Sequence, residues 1–178
     1  MNEQTSTSFK KLASQFGIGL GILLSLITVL SYVFYLELIT KWWMNIFSFL
    51  LVLTVAIIGS YKCKKAYSGI YTYKKAFTSY FIIVLISTTI ATFTNYLIFN
   101  IVDPEAADFL LDKTIEMTRS FMENFGVSEE DINKSVQALK QENQFSSKNQ
   151  ILGLFSNLVI YILIGLLVSL GLREKKEN

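Results

Sequence analysis

Thr88, Thr92 and Asn95 fall at i, i+4 and i+7, so one face of a helix through them carries two hydroxyls and a carboxamide. Such side chains donate and accept hydrogen bonds without carrying charge. Asn95 and Asn157 lie roughly 10 Å inside the ends of their apolar runs, at about 1.5 Å per helical residue, and Thr28 and Ser48 fall near the same depth. These six could form one polar layer. Its commoner use would be interhelical hydrogen bonding, worth about 0.6 kcal/mol a contact inside a bilayer. Its sharper use would be a small polar cavity that binds a solute or a lipid headgroup.

Other residue sets carry less chemistry. Lys62, Lys64, Lys65, Lys74 and Lys75 crowd into one stretch without an acid. They serve as topological charge, or as an anionic-lipid patch worth about 1 kcal/mol per lysine near the surface, with Tyr67, Tyr71 and Tyr73 anchoring at the interface. Glu105, Asp108, Asp112 and Glu116 line one side of a helix, where exposed carboxylates rarely converge into a calcium cage. Cys63 is the single cysteine, and only its lysine neighbours would lower its pKa. The chain has no histidine, the commonest general base and metal ligand. Nucleophile–base pairs, metal-ligand spacings and phosphate loops are also lacking. No catalytic residue, metal or cofactor is therefore expected, and no enzyme.

The elements that would position the polar layer are set by where charge is missing. The 178 residues are 52% hydrophobic with a net charge of +2, too small to suggest nucleic acid. Four stretches, each about 20–27 residues, contain no ionisable acid or base, and each could cross about 30 Å of hydrocarbon as a helix. They give spans over 12–36, 42–61, 76–102 and 149–172, an outer turn at 37–41 and a basic loop at 62–75. The first is too long for a signal-peptide core and no small-residue cleavage site follows it, so it reads as a retained span. Ala13, Gly17, Gly21 and Ser25 place small residues on one face of span one, and Gly165 and Ser169 do so on span four. Both form a packing seam, used within one chain or between two copies.

Residues 103–148 hold most of the acids. Asp103 followed by Pro104 reads as an N-cap and first helical residue. Leu110, Leu111, Ile115, Met117, Phe121, Met122 and Phe125 form an apolar stripe, and Gly126 can end that helix. Ser128, with Asp131 in the capping-box position, opens a second helix. An amphipathic helical pair is expected.

Basic residues flank 1–11, 62–75 and 173–178, whereas 37–41 is nearly bare and 103–148 is acidic. Positive flanks stay cytoplasmic, so both termini lie inside and the helical pair outside. Trp42 and Trp43 fit the outer headgroup level.

The segment Gly69-Ile70-Tyr71-Thr72-Tyr73-Lys74-Lys75-Ala76-Phe77 resembles the stretch between spans two and three of the domain of unknown function 4199 family. Asp103-Pro104-Glu105 and Val127-Ser128-Glu129-Glu130-Asp131-Ile132 fit the same family. The resemblance covers nearly the whole chain. It implies four spans and residence in a bacterial inner membrane, and brings no activity and no functional residue. The fold expectation is an all-α membrane protein, four transmembrane helices running up-down-up-down, with an extracytoplasmic helical pair between spans three and four. The functional expectation is a non-enzymatic interaction or structural subunit that engages lipid, a second copy or a membrane-protein partner. The alternative is a small transporter or channel, acting as an oligomer around the polar layer.

Overall fold

A computed structural model describes residues 3–174; Lys175 and Lys176, part of the expected basic tail, lie outside them. The described residues form helices and short connections: α1 Glu3–Phe34, a 3-10 turn Leu36–Thr40, α2 Trp42–Ala66, α3 Tyr73–Leu97, α4 Pro104–Asn124, α5 Glu129–Gln141 and α6 Ser147–Leu172. Among the described residues, four segments are long and apolar enough to cross a bilayer: Phe9–Phe34, Trp42–Ala66, Tyr73–Val102 and Ser147–Leu172. This is a multi-pass helical membrane protein.

The basic stretch 62–75 is not all loop. α2 runs on through Lys62, Lys64 and Lys65 to Ala66, and α3 starts at Tyr73, leaving 67–72 between them. Lysines in a last helical turn complement the partial negative charge of its carbonyls. Keeping the backbone bonded within a helix until it clears the hydrocarbon satisfies the peptide groups.

α3 is the centre of the bundle, touching α1, α2 and α6. Against α1 the register is regular. Ile86 faces Gly17, Ile90 faces Gly21, and Thr94 Oγ1 lies 2.7 Å from Ser25 Oγ, with the bonded pair 69 residues apart. The sequence separation stays constant along the seam, so α1 and α3 run parallel. A Cβ on Gly17 would come within 2.9 Å of Ile86 Cβ, and one on Gly21 within 2.8 Å of Ile90 Cβ. Ala13 is fully buried. The small-residue stripe of span one is therefore covered by α3 of the same chain. The second stripe serves the same purpose, since a Cβ on Gly165 would lie 2.5 Å from the Tyr80 ring and Ser169 is fully buried. α2 packs antiparallel to α1, with Cys63 Sγ donating to the Phe9 carbonyl at 3.5 Å and Gly59 set against Phe16.

Two ends close differently. At the basic end, Tyr71 N–H donates to Glu174 Oε2 at 3.0 Å, and Glu174 N–H returns to the Tyr71 carbonyl at 3.0 Å. At the other end α3 widens into a π-helical turn, Ile98–Val102, where Asp103 N–H donates to the Ile98 carbonyl at 2.8 Å. Asp103 then caps α4 by accepting from Ala106 N–H at 3.0 Å, with Pro104 first in the helix. Its second oxygen accepts from Tyr32 Oη at 2.9 Å, tying the end of α1 to the start of α4.

α4 and α5 pack together as a hairpin. Gly126, at φ +69°, supports a Schellman closure in which Val127 N–H donates to the Met122 carbonyl at 3.1 Å. Ser128 Oγ accepts from Asp131 N–H at 3.3 Å and donates to Asp131 Oδ2 at 2.8 Å. The apolar stripe of α4 is only partly used. Leu110 and, on α5, Ile132 are buried, whereas Phe121 and Phe125 are 64% and 73% exposed, with ring centroids 4.7 Å apart. The short α5 spans 13 residues and leaves these two rings uncovered.

Gly21→Leu should lower bundle stability by about 1–3 kcal/mol through overpacking against Ile90. Gly19→Leu should leave it unchanged, because a Cβ there meets nothing within 4 Å. Thermal unfolding in detergent reads the difference, and equal losses at both positions would contradict the α1–α3 seam. Asp103→Ala should cost about 1–2 kcal/mol, the usual loss for an N-cap, and should speed amide exchange at Glu105 and Ala106. Unchanged exchange would show that the cap does not hold α4.

Candidate functional site

Near the hairpin end of the bundle, α1, α2, α3 and α6 line a partly open cavity of about 320 Å³. Its wall includes Thr28 from α1, Ser48 from α2, Thr88, Thr92 and Asn95 from α3, and Asn157 from α6. The four side chains counted to one depth in the sequence, with Thr88 and Thr92 from the helix face of Asn95, thus line one space. Sequence counting missed Ser31, Asn45 and Tyr161, which also line it. The signal was present: Ser31 follows Thr28 by three residues, Asn45 precedes Ser48 by three, and Tyr161 follows Asn157 by four. Each therefore shares a helix face with a residue already chosen.

Among the described residues, no hydrogen bond joins those six side chains to one another. Thr88 Oγ1 is bonded locally to the Val84 carbonyl at 2.7 Å. Among the described residues, Thr28, Ser48, Thr92, Asn95 and Asn157 make no side-chain hydrogen bond to other protein groups, though all line the cavity. Ser25 and Thr94, which do bond across helices, lie on the packed seam instead. Two carboxamides and several hydroxyls in a membrane bundle cannot go unpaired cheaply, since an unsatisfied amide costs several kcal/mol away from water. A 320 Å³ space holds on the order of ten waters at about 30 Å³ each, ample to solvate them. Tyr161, stacked on Phe49 at 5.2 Å, joins α6 to α2 at the cavity wall. Ile83 and Val84 are fully packed in the half of α3 nearer the basic end. Asn157 itself is exposed, so protein does not close its side of the wall.

The five lysines are not equivalent. Lys64 pairs with Glu174 at 3.7 Å, and Lys75 donates to the Ile70 carbonyl at 3.1 Å with its ammonium 4.1 Å from the Tyr67 ring centroid. Lys65 lies over Tyr61 and Lys62 over Phe16, while Lys74 is exposed. The expected tyrosine anchors need one correction. Tyr71 is fully buried, its hydroxyl 2.7 Å from Ser79 Oγ, and packs edge-on against Phe9. Burial pushes its phenol up to about 12, so it stays a neutral plug rather than an interface residue. Cys63 is buried too, which removes the access a reactive thiol needs. Of the acidic stripe, Glu116 pairs with Lys113 at 2.9 Å, and Lys113 lies 3.8 Å from Glu37 in the turn between α1 and α2.

Residues 15–174 match a family described as protein of unknown function DUF4199. No curated protein and no solved structure matches the chain.

Asn95→Leu and Asn157→Leu should leave detergent stability unchanged or raise it, because neither loses a protein hydrogen bond. Ser25→Val, which breaks the bond to Thr94, should cost about 0.6 kcal/mol. Losses of about 2 kcal/mol at either asparagine would mean that the layer is structural after all.

Proposed function

This chain belongs to the DUF4199 family, and from that premise we propose that it is a non-enzymatic membrane protein whose helical bundle binds a small uncharged solute or headgroup. One observation carries the reading: a cavity of about 320 Å³ whose wall brings together polar, uncharged side chains, among them Thr28, Ser48, Thr92, Asn95 and Asn157, for which no protein hydrogen-bond partner occurs among the described residues. Tyrosine is the only ionisable residue type in its wall, so nothing there would hold a charged ligand or relay protons.

In this reading the protein sits in a bacterial inner membrane with both termini in the cytoplasm. Lys10, Lys11, the lysines of 62–75 and Arg173 all belong to one end of the bundle, which supports that orientation. The cavity then opens outward, beneath the α4–α5 hairpin. Transport through the bundle has less support, because the half of α3 nearer the basic end is tightly packed around Tyr80, Ile83 and Val84. A partner-binding role has one specific observation in its favour, the exposed and adjacent Phe121 and Phe125 rings at the hairpin tip.

Asn157→Cys, introduced into a Cys63→Ala protein, tests both site and orientation. An impermeant thiol reagent added outside intact spheroplasts should modify it, and Ile83→Cys in the packed half should stay unmodified. Labelling of Asn157→Cys only after lysis would reverse the orientation. No labelling under either condition would show that water does not reach the cavity.

A further inference from the structure

A second hollow of about 410 Å³ lies between the bundle and the hairpin, and it shares Ile39, Asn45 and Asn95 with the membrane cavity. The two adjoin at these three residues, the one beneath the hairpin forming a vestibule to the other. Trp42, Phe99 and Phe145 supply rings to its wall, and Asn45, Asn95, Gln144 and Gln150 supply amides. No ionisable side chain lines it.

That wall restricts the ligand chemically. A charged ligand would lose hydration and find no counter-charge. A hydrocarbon would leave the amides unpaired. An amide offers both donor and acceptor, and a hydroxyl needs both. The rings offer apolar faces to the C–H surfaces that alternate with hydroxyls on a sugar ring. One atom already lacks its partner: Gln150 Oε1 is buried with no hydrogen bond, while Gln150 Nε2 is fixed by the Phe145 carbonyl at 2.8 Å. Asn100 holds the same turn, donating to the Phe145 carbonyl at 3.1 Å and accepting from Ser147 Oγ at 2.9 Å. The acceptor is therefore pre-positioned before any ligand arrives.

Building on the cavity reading above, we propose that the vestibule binds a neutral polyhydroxylated ligand, a free sugar or the glycosyl headgroup of a lipid. A ligand hydroxyl donates to Gln150 Oε1, and Trp42 covers the sugar's apolar face.

Trp43→Phe leaves Trp42 as the single tryptophan of the two in the chain, and so as the reporter. The full-length protein, in nanodiscs of phosphatidylcholine, is titrated with maltose; a second set of nanodiscs contains monoglucosyl diacylglycerol in rising proportion. A saturable change in Trp42 emission in either arm is expected, and the arm that saturates names the source. Glucose 6-phosphate should bind at least about tenfold more weakly, and Gln150→Leu should weaken the neutral probe by about tenfold. Because Gln150 also holds the turn, Asn45→Leu is the second variant with the same expected loss. Asn45 is exposed and makes only a 3.5 Å contact with the Lys41 carbonyl. Saturation in neither arm, equal affinity for glucose 6-phosphate, or no loss in both variants would overturn the ligand class. If Asn157→Cys is still modified from outside when no neutral probe saturates, the ligand class alone fails. If it is never modified, the cavity reading falls with it.

Discussion

The close approach of α1 to α3 sets the geometry of the whole bundle. Lipid tails are as apolar as leucine, so membrane helices gain little by hiding from them. Association then depends on dispersion, which weakens steeply once surfaces separate by even 0.5–1 Å. Ala13, Gly17 and Gly21 let the helix backbone of α1 sink onto Ile83, Ile86 and Ile90, and Ser25 closes the seam with a hydrogen bond to Thr94. Nothing larger would fit at Gly17 or Gly21, where an added Cβ already lies under 3 Å from its neighbour.

From that seam the remaining contacts follow in turn. α3, held against α1 on one side, receives α6 through Gly165 on another and α2 through Gly59, whose added Cβ would meet Ile83. Small residues at these contacts pull the helices together in the half nearer the basic loop. Toward the hairpin the facing residues change to Thr88, Thr92 and Asn95 on α3, with Ser48 and Asn157 opposite. The α1–α3 seam continues at this level through Gly21 against Ile90 and Ser25 against Thr94, but on the face of α3 toward α2 and α6 the helices leave a polar space instead of a contact. Tight packing in one half and a polar hollow in the other thus arise from one gradient of residue size and polarity along the bundle. The π-helical turn at Ile98–Val102 and the Asp103 cap then redirect the chain so that the hairpin and the turn after it roof the hollow.

Much of this was legible from sequence because the governing constraints are local or periodic. Hydrocarbon tolerates no stray charge, so the spans announce themselves. Asp103–Pro104, Gly126 and Ser128–Asp131 act on their own neighbours, and each adopts the geometry its residue type suggests. Depth counting for four polar residues, and helical spacing for Thr88 and Thr92, pointed to side chains that line one cavity because the helices are long and unbroken over that range. Partner choice was not legible. A stripe of small residues shows that something packs closely, but not whether α3 or a second copy does so. Likewise, a tyrosine near lysines looks the same in sequence whether it anchors at a surface or, like Tyr71, plugs the bundle. The apolar stripe of α4 told nothing of how far the shorter α5 would cover it, so the exposure of Phe121 and Phe125 appears only in three dimensions. The idle Gln150 acceptor likewise depends on a turn folding back, which no periodicity encodes.

A disulfide placed across the α1–α3 seam probes this arrangement most directly. Ser25→Cys and Thr94→Cys, combined in a Cys63→Ala protein, would set two sulfurs where hydroxyl oxygens now lie 2.7 Å apart. Mild oxidation in native membranes should close a bond within one chain, seen as a faster-migrating monomer that reverts on reduction. A covalent dimer from the same pair, or from Ser25→Cys alone, would put the stripe between two copies and contradict a bundle built around α3.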